Sequence, residues 1–285
     1  MSQPVLHASV DFAAQSEASG VIDAVGARHP VASGEVRIVS LVPSLTELLF
    51  DLGLGEQVVG RTGFCIHPRD GVRHVPKLGG TKDVKLDALR ALAPTHVIVN
   101  IDENRRETAE ALATFVPHVV ATHPCRPEDN LDLYALFGTL FGREAAAAGL
   151  QAALRDALAE ADRVAATHAP ETVLYLIWRQ PWMTVARETY ISAMLARVGW
   201  QTWPANAGQR YPELDWDALR ASAVARVLLS SEPYRFRDRH LAEVEGLSAR
   251  PAQLIDGEMA SWYGSRAIAG LRYLASLRRD CAAGR

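Results

Sequence analysis

LDALRALAPTHVIV (residues 86–99) and WDALRASAVARVLL (residues 216–229) decide the fold, because the chain says one thing twice. Seven of the fourteen aligned pairs are identical: Asp87/Asp217, Ala88/Ala218, Leu89/Leu219, Arg90/Arg220, Ala91/Ala221, Ala93/Ala223 and Val97/Val227. Each copy reads as a short amphipathic helix running into an apolar, β-branched stretch, the pattern of a helix packed on a buried parallel strand. Their separation is too long for a solenoid, whose repeats run to roughly 20–50 residues. It predicts two related lobes with a ligand held between them. The alternative is that helix-then-strand segments converge on Ala- and Leu-rich sequence.

Outward from the first copy, RIVSLVPS (37–44) reads as a strand ending in Pro-Ser. Ser44 and Glu47 have capping-box spacing and predict a helix over 45–53. VVGRTGF (58–64) predicts a second strand, ENRRETAEALATF (103–115) a helix and HVVAT (118–122) a strand. Strands alternating with helices imply a parallel sheet whose carboxyl-end loops form a ligand crevice. The Ala-rich stretch 144–166 predicts one helix over 143–166, about 35 Å long at 1.5 Å per residue and able to bridge two lobes. After Pro170 the pattern restarts with TVLYLIW (172–178), helices near 190–198 and 238–245, AQLID (252–256) and a last helix over about 265–279. The expected organisation is a loosely attached arm (1–35), a first α/β lobe (36–126), a connecting long helix (127–169) and a second α/β lobe (170–285). The fold class is α/β, each lobe with a mainly parallel sheet and the ligand cleft between them.

Composition excludes several classes. With 48% hydrophobic and 22% charged residues the 285-residue chain is of globular type, and a formal net charge of −3 gives no footprint for nucleic acid. No run approaches the ~18 apolar residues of a membrane span. Three cysteines, Cys65, Cys125 and Cys281, fit no disulfide framework. The first twenty residues have no basic n-region, apolar h-region or lipobox-like cysteine. The expected location is therefore cytoplasmic for the chain as written, and periplasmic for a start further upstream. Motifs for a nucleophile elbow, a phosphate loop, a dinucleotide fold or HExxH are missing.

Candidate chemistry collects in the loops. Trp178, Arg179 and Trp182 form either a platform for a flat or anionic ligand or a tryptophan pair covering a sheet edge. Trp262, Tyr263 and Arg266 lie in SWYGSRA (261–267) at the crevice end of the last strand, and Arg266 has Glu258 and Asp256 nearby as salt-bridge partners. GRTGFCIHP (60–68) supplies Arg61, Phe64, Cys65 and His67. The last two are weak metal-ligand candidates, since no second Cys/His pair follows at metal-site spacing. Asn100, Asp102 and Glu103 either read polar groups on a ligand or cap the next helix, and capping is the better reading for Asp102. Tyr234 belongs to the counterpart loop of the second lobe.

IVSLVPSLTELLFDLGLGEQVVGRT, GGTKDVKLDALRALAPTHVIV and DWDALRASAVARVLL resemble the cobalamin- and iron–siderophore-type substrate-binding proteins of ABC importers, the helical-backbone metal receptors. The resemblance covers roughly residues 36–279 and is strongest to cobalamin-binding-protein-like members. It implies two α/β lobes on one long helix, and a metal chelate bound between them largely by aromatic side chains. Phe64 and Trp262 fall where such binders place aromatics, and Thr81 stands where a cobalamin binder has a tryptophan. Asp87 and Asp217 match the carboxylates that dock on permease arginines. The resemblance thus implies a non-catalytic monomer with no cofactor of its own, delivering a cobalamin-like corrinoid or ferric siderophore to an ABC permease. The alternatives are a cytoplasmic carrier or sensor without a permease, and a small enzyme using Cys65 and His67.

Overall fold

A computed structural model describes residues 20–282. It opens on an antiparallel hairpin, β1 (Gly20–Ile22) and β2 (Arg28–Pro30). Here the structure departs from the expected arm over 1–35, of which residues 1–19 lie outside the described residues. Asp23 explains the order: its carboxylate accepts from the backbone N–H of Val25 and Ala27 within the turn and from that of Ala121 in the first lobe. Ala24 N–H also donates to the Ala121 carbonyl, so the hairpin is stitched along a sheet edge.

The first lobe carries β3 (Ile38–Ser40), β4 (Val58–Arg61), β5 (His96–Asn100) and β6 (His118–Thr122) in a fully parallel sheet of order β4-β3-β5-β6. The second carries β7 (Glu171–Arg179), β8 (Trp182–Thr184), β9 (Trp200–Thr202), β10 (Arg226–Ser230) and β11 (Ala252–Ile255), of order β11-β10-β7-β8. β9 runs parallel beside β7, and only β8 is antiparallel. The repeated sequence is a repeated unit. Helix Leu86–Ala91 leads into β5 and helix Trp216–Arg220 into β10. Each repeat strand lies between the first strand of its lobe and the last. Leu89 and Leu219, the shared leucines, are both fully buried. β5 and β10 read as continuous apolar runs because helices cover both faces of each sheet.

Helix Glu144–Thr167 joins the lobes. Its Ala147, Leu154, Ala157, Leu158, Ala161 and Val164 form one buried stripe at helical spacing. The crossing with helix Asn130–Phe141 is close: a Cβ on Gly138 would meet Ala147 Cβ at 2.6 Å. That apolar stripe is shared with the inner faces of both sheets and with the C-terminal helix Arg266–Ala282, so one core runs through both lobes. Two smaller cores lie on the other sheet faces, under Leu89 and Leu112 in the first lobe and Leu219 and Val244 in the second.

The expected capping box differs. The first helix runs Pro43–Asp51 with Pro43 inside its start and no side-chain cap, because proline already supplies helical φ and has no orphan N–H to satisfy. Glu47 is thereby free for another partner.

At the amino end of β5 and β6, remote from the cleft, His96 stacks on His118 with ring centroids 4.8 Å apart, and His118 meets His29 of the hairpin edge-on at 5.7 Å. Burial, then the neighbouring imidazoles His118 and His29, lower the His96 pKa from 6.5 to about 4. The folded protein therefore disfavours the proton that the unfolded chain accepts near pH 6.5. Stability from this group is complete above that pH and is lost as pH falls towards 4, about 3 kcal/mol in all. Urea midpoints measured between pH 7 and 4.5 are expected to fall more steeply for the native chain than for His96→Phe; equal slopes would assign the effect elsewhere.

Candidate functional site

Between the lobes lies a cleft of about 560 Å³. The first lobe contributes Pro43 and Ser44 at a helix start, the loop after β4 with Phe64 and Ile66, Thr81, and the loop after β5 with Asn100, Asp102 and Glu103. The second contributes Tyr190, Arg210, Tyr211, Glu232 and the segment Ser261–Tyr263. Several apolar members are uncovered: Phe64 is 63% exposed, Ile66 45% and Tyr211 42%. Large apolar side chains left open around a concavity are the ordinary composition of a small-molecule site.

Backbone chemistry fixes the walls. Asn100, at the end of β5, accepts from the N–H of Asp102 (2.8 Å) and Glu103 (3.3 Å), so its side chain makes the turn that brings both carboxylates to the cleft. Asn104 donates to the carbonyls of Leu41 (3.3 Å) and Thr81 (3.0 Å), which holds the Thr81 loop. On the opposite wall Asp256 caps helix Gly257–Ser261, accepting from the N–H of Glu258 and Met259, and this helix presents Trp262 at its end. The Trp262 indole N–H donates to Glu232 (2.9 Å), and the Arg266 guanidinium lies 4.8 Å from its ring centre. The His67 ring meets it edge-on at 5.5 Å.

Polar contacts tie the lobes at several points. Arg266 binds both oxygens of Glu47 (2.7 and 2.6 Å) and one of Glu258 (2.8 Å), and Glu258 also meets His67 at 3.1 Å. Burial works against the Arg266 charge, and the Glu47 and Glu258 carboxylates outweigh it, raising its pKa. Tyr263 donates its hydroxyl to Glu103, and Arg210 pairs with Asp102 at 2.7 Å. Burial pushes the Glu103 and Glu232 carboxyls up; hydrogen bonds from Tyr263, and from Ser261 and Trp262, pull the other way.

Of the residues expected from sequence, Phe64, Thr81, Asn100, Asp102, Glu103, Trp262 and Tyr263 line the cleft. Others lie outside it for identifiable reasons. Arg61 is 4% exposed and donates to the carbonyls of Thr62, Cys65 and Val72, which folds the loop that carries Phe64. Trp182 sits between Trp216 and Phe236 on a sheet face, Tyr234 packs on Phe236, and Trp178 meets Tyr234 edge-on. Arg179 pairs with Glu243 (2.8 Å). This set is the tryptophan cover of a sheet. Arg266 sits behind Trp262 in the salt-bridge network. Asp102 caps nothing; helix Arg106–Ala113 has no side-chain cap, and Asp102 reaches across to Arg210.

Cys65 is fully buried, its thiol pushed up by burial, and it hydrogen-bonds Thr62 at 3.1 Å, while His67 is held by Glu258. No group of three or more His, Cys, Asp or Glu among the described residues is arranged to hold a metal ion. Asp87 and Asp217 are exposed, each in the first turn of its repeat helix. Sequence reasoning missed Arg210, Tyr211 and Asn104; the first two stand in a loop with no periodic signal, and their role exists only once the lobes meet.

A sequence model of the family described as "Periplasmic binding protein" matches residues 38–254. The vitamin B12-binding protein of Photorhabdus laumondii is 22% identical over 186 residues, 65% of this chain and 67% of that one. Among solved structures, the periplasmic vitamin B12 binding protein BtuF of Vibrio cholerae superposes with a TM-score of 0.75 at 14% identity, over 86% of this chain and 97% of that one. The periplasmic heme-binding protein RhuT of Roseiflexus sp. gives 0.73 at 24%, over 87% and 100%. A structure from the ABC-type Fe3+-hydroxamate transport system of Saccharomonospora viridis gives 0.69 at 18%, over 90% and 97%. At these identities the structural likeness shows the shared fold.

Proposed function

We propose, on the premise that this chain belongs to the periplasmic binding protein family, that it is a non-catalytic receptor for a bulky metal chelate, a cobalamin-like corrinoid or a ferric siderophore, which it delivers to an ABC importer. One observation carries the reading: a cleft of about 560 Å³ whose two walls offer uncovered aromatic and aliphatic side chains, with Trp262 braced from behind. Flat apolar faces suit a macrocycle or a wrapped chelate, and the relatives named for vitamin B12, heme and Fe3+-hydroxamate share the fold. The cytoplasmic location expected from the first twenty residues gives way, in this reading, to the periplasmic one of the family. No helix among the described residues is long and apolar enough to cross a membrane.

A panel of cyanocobalamin, dicyanocobinamide, haemin and ferric hydroxamates, followed by thermal shift, tests the proposal. A saturable shift with one chelate supports it, and silence from all overturns it. The delivery step rests on Asp87 and Asp217, which occupy equivalent exposed positions in the two lobes. Asp87→Arg and Asp217→Arg are expected to leave chelate affinity unchanged while lowering importer-dependent uptake into vesicles by about tenfold, through like-charge contact with a basic docking surface. Unaltered uptake would remove both residues from docking.

A further inference from the structure

Four carboxylates and one guanidinium line the cleft: Asp102, Glu103, Glu232, Glu258 and Arg210. They differ in whether a counter-charge holds them. Asp102 has Arg210, and Glu258 has Arg266. Glu103 and Glu232 have neither. The Tyr263 hydroxyl donates to Glu103. The Ser261 hydroxyl (2.7 Å) and the Trp262 indole N–H (2.9 Å) donate to Glu232. All of these donors are uncharged. Lys82 attracts Glu103 from a distance, but its ammonium donates to the Asp102 carbonyl oxygen at 3.0 Å. The donors meet Oε1 of each carboxylate, which leaves Oε2 as an acceptor in the wall. The two groups come from different lobes and both line the cleft, so a ligand filling it meets two carboxylates that lack cations.

A partly buried carboxylate without a cation is satisfied by donors or by positive charge, and it repels a second anion strongly where water is excluded. We propose that Glu103 and Glu232 set the charge class of the ligand. The cleft takes an uncharged or cationic chelate whose rim carries N–H donors, as an amide-rimmed corrinoid does. It turns away a chelate whose rim carries carboxylates or whose net charge is negative. This rests on the metal-chelate reading and narrows it. Apolar walls alone would accept a corrinoid and a porphyrin about equally, since both are flat macrocycles of similar size, so the discrimination falls to the acceptors.

Equilibrium dialysis at pH 7 tests it with four probes: cyanocobalamin and ferrioxamine B, which are uncharged and cationic, against haemin and ferric enterobactin, which are anionic. The first pair is expected to include the tightest ligand, at least about a hundredfold tighter than either anion. Glu103→Gln/Glu232→Gln keeps side-chain shape and an acceptor oxygen for Tyr263, Ser261 and Trp262. It is expected to narrow that ratio by about tenfold or more, mainly by tightening the anions. The single variants are expected to narrow it by about threefold each, which keeps the test open should the double variant fail to fold. An anion binding the native chain as tightly as the others, or a ratio untouched by the substitutions, overturns the charge selection and leaves the receptor reading standing. Silence from all four probes overturns both.

Discussion

Trp262→Ala is expected to weaken chelate binding by about a hundredfold, within the roughly 2–4 kcal/mol typical of a central aromatic anchor. The size follows from how the ring is held. Its N–H is fixed by Glu232, its face is backed by the Arg266 guanidinium at 4.8 Å and its edge by His67 at 5.5 Å. A ring ordered before the ligand arrives loses little rotamer freedom on binding, so its contact energy appears in affinity. Truncation removes the stacking surface and also leaves a cavity above a guanidinium. Trp262→Phe keeps an apolar face and is expected to lose no more than about tenfold. Fluorescence quenching or dialysis, with a thermal melt to show that the variant is folded, makes the measurement. Native affinity in Trp262→Ala would take this residue out of the site.

The largest effect on stability is expected at Glu171, where β7 begins. Its carboxylate takes Arg226 (2.6 Å) from β10, Arg278 from the C-terminal helix and the Trp200 indole N–H (3.1 Å) from β9. Arg278 also donates to the Ala169 carbonyl (2.7 Å) and lies 5.6 Å from the Trp200 ring centre. Side-chain exposures are 13% for Glu171 and 6% for Arg278, so water cannot replace the lost partner. Glu171→Ala strands two guanidinium groups, for a cost of about 3–5 kcal/mol. At this chain length that lowers Tm by roughly 6–15 °C. Glu171→Met with Arg226→Met and Arg278→Met is expected to recover most of the loss, since apolar residues of similar volume often replace a buried ionic triad without penalty. A Tm within about 2 °C of native for Glu171→Ala would mean that the carboxylate is not what holds the last helix to the sheet.

The long-range plan of the molecule was legible because it is written in repeated local patterns. The pair 86–99 and 216–229 announced two lobes, and the helix read at 143–166 is observed at 144–167. Buried parallel strands are continuous apolar runs, hard to hide in a sequence. The hairpin at 20–30 was hidden because its strands are three residues each and its order comes from Asp23, a residue with no pattern of its own. Within the cleft, aromatic residues at strand and helix ends could be anticipated, but the direction of a side chain could not. Trp262 lines the cleft while Trp182, also a candidate by sequence, faces Trp216 and Phe236. Glu47 shows the same limit: its spacing from Ser44 spoke of a cap, and its partner turned out to be Arg266, 219 positions away.

The core shared by both lobes and the connecting helix has a thermodynamic consequence. A receptor that must swing shut surrenders part of each ligand's intrinsic affinity to the population of closed form, whereas a cleft already assembled surrenders almost none. Parting the walls means exposing apolar side chains from two sheets and two helices at once, so thermal fluctuation seldom separates them.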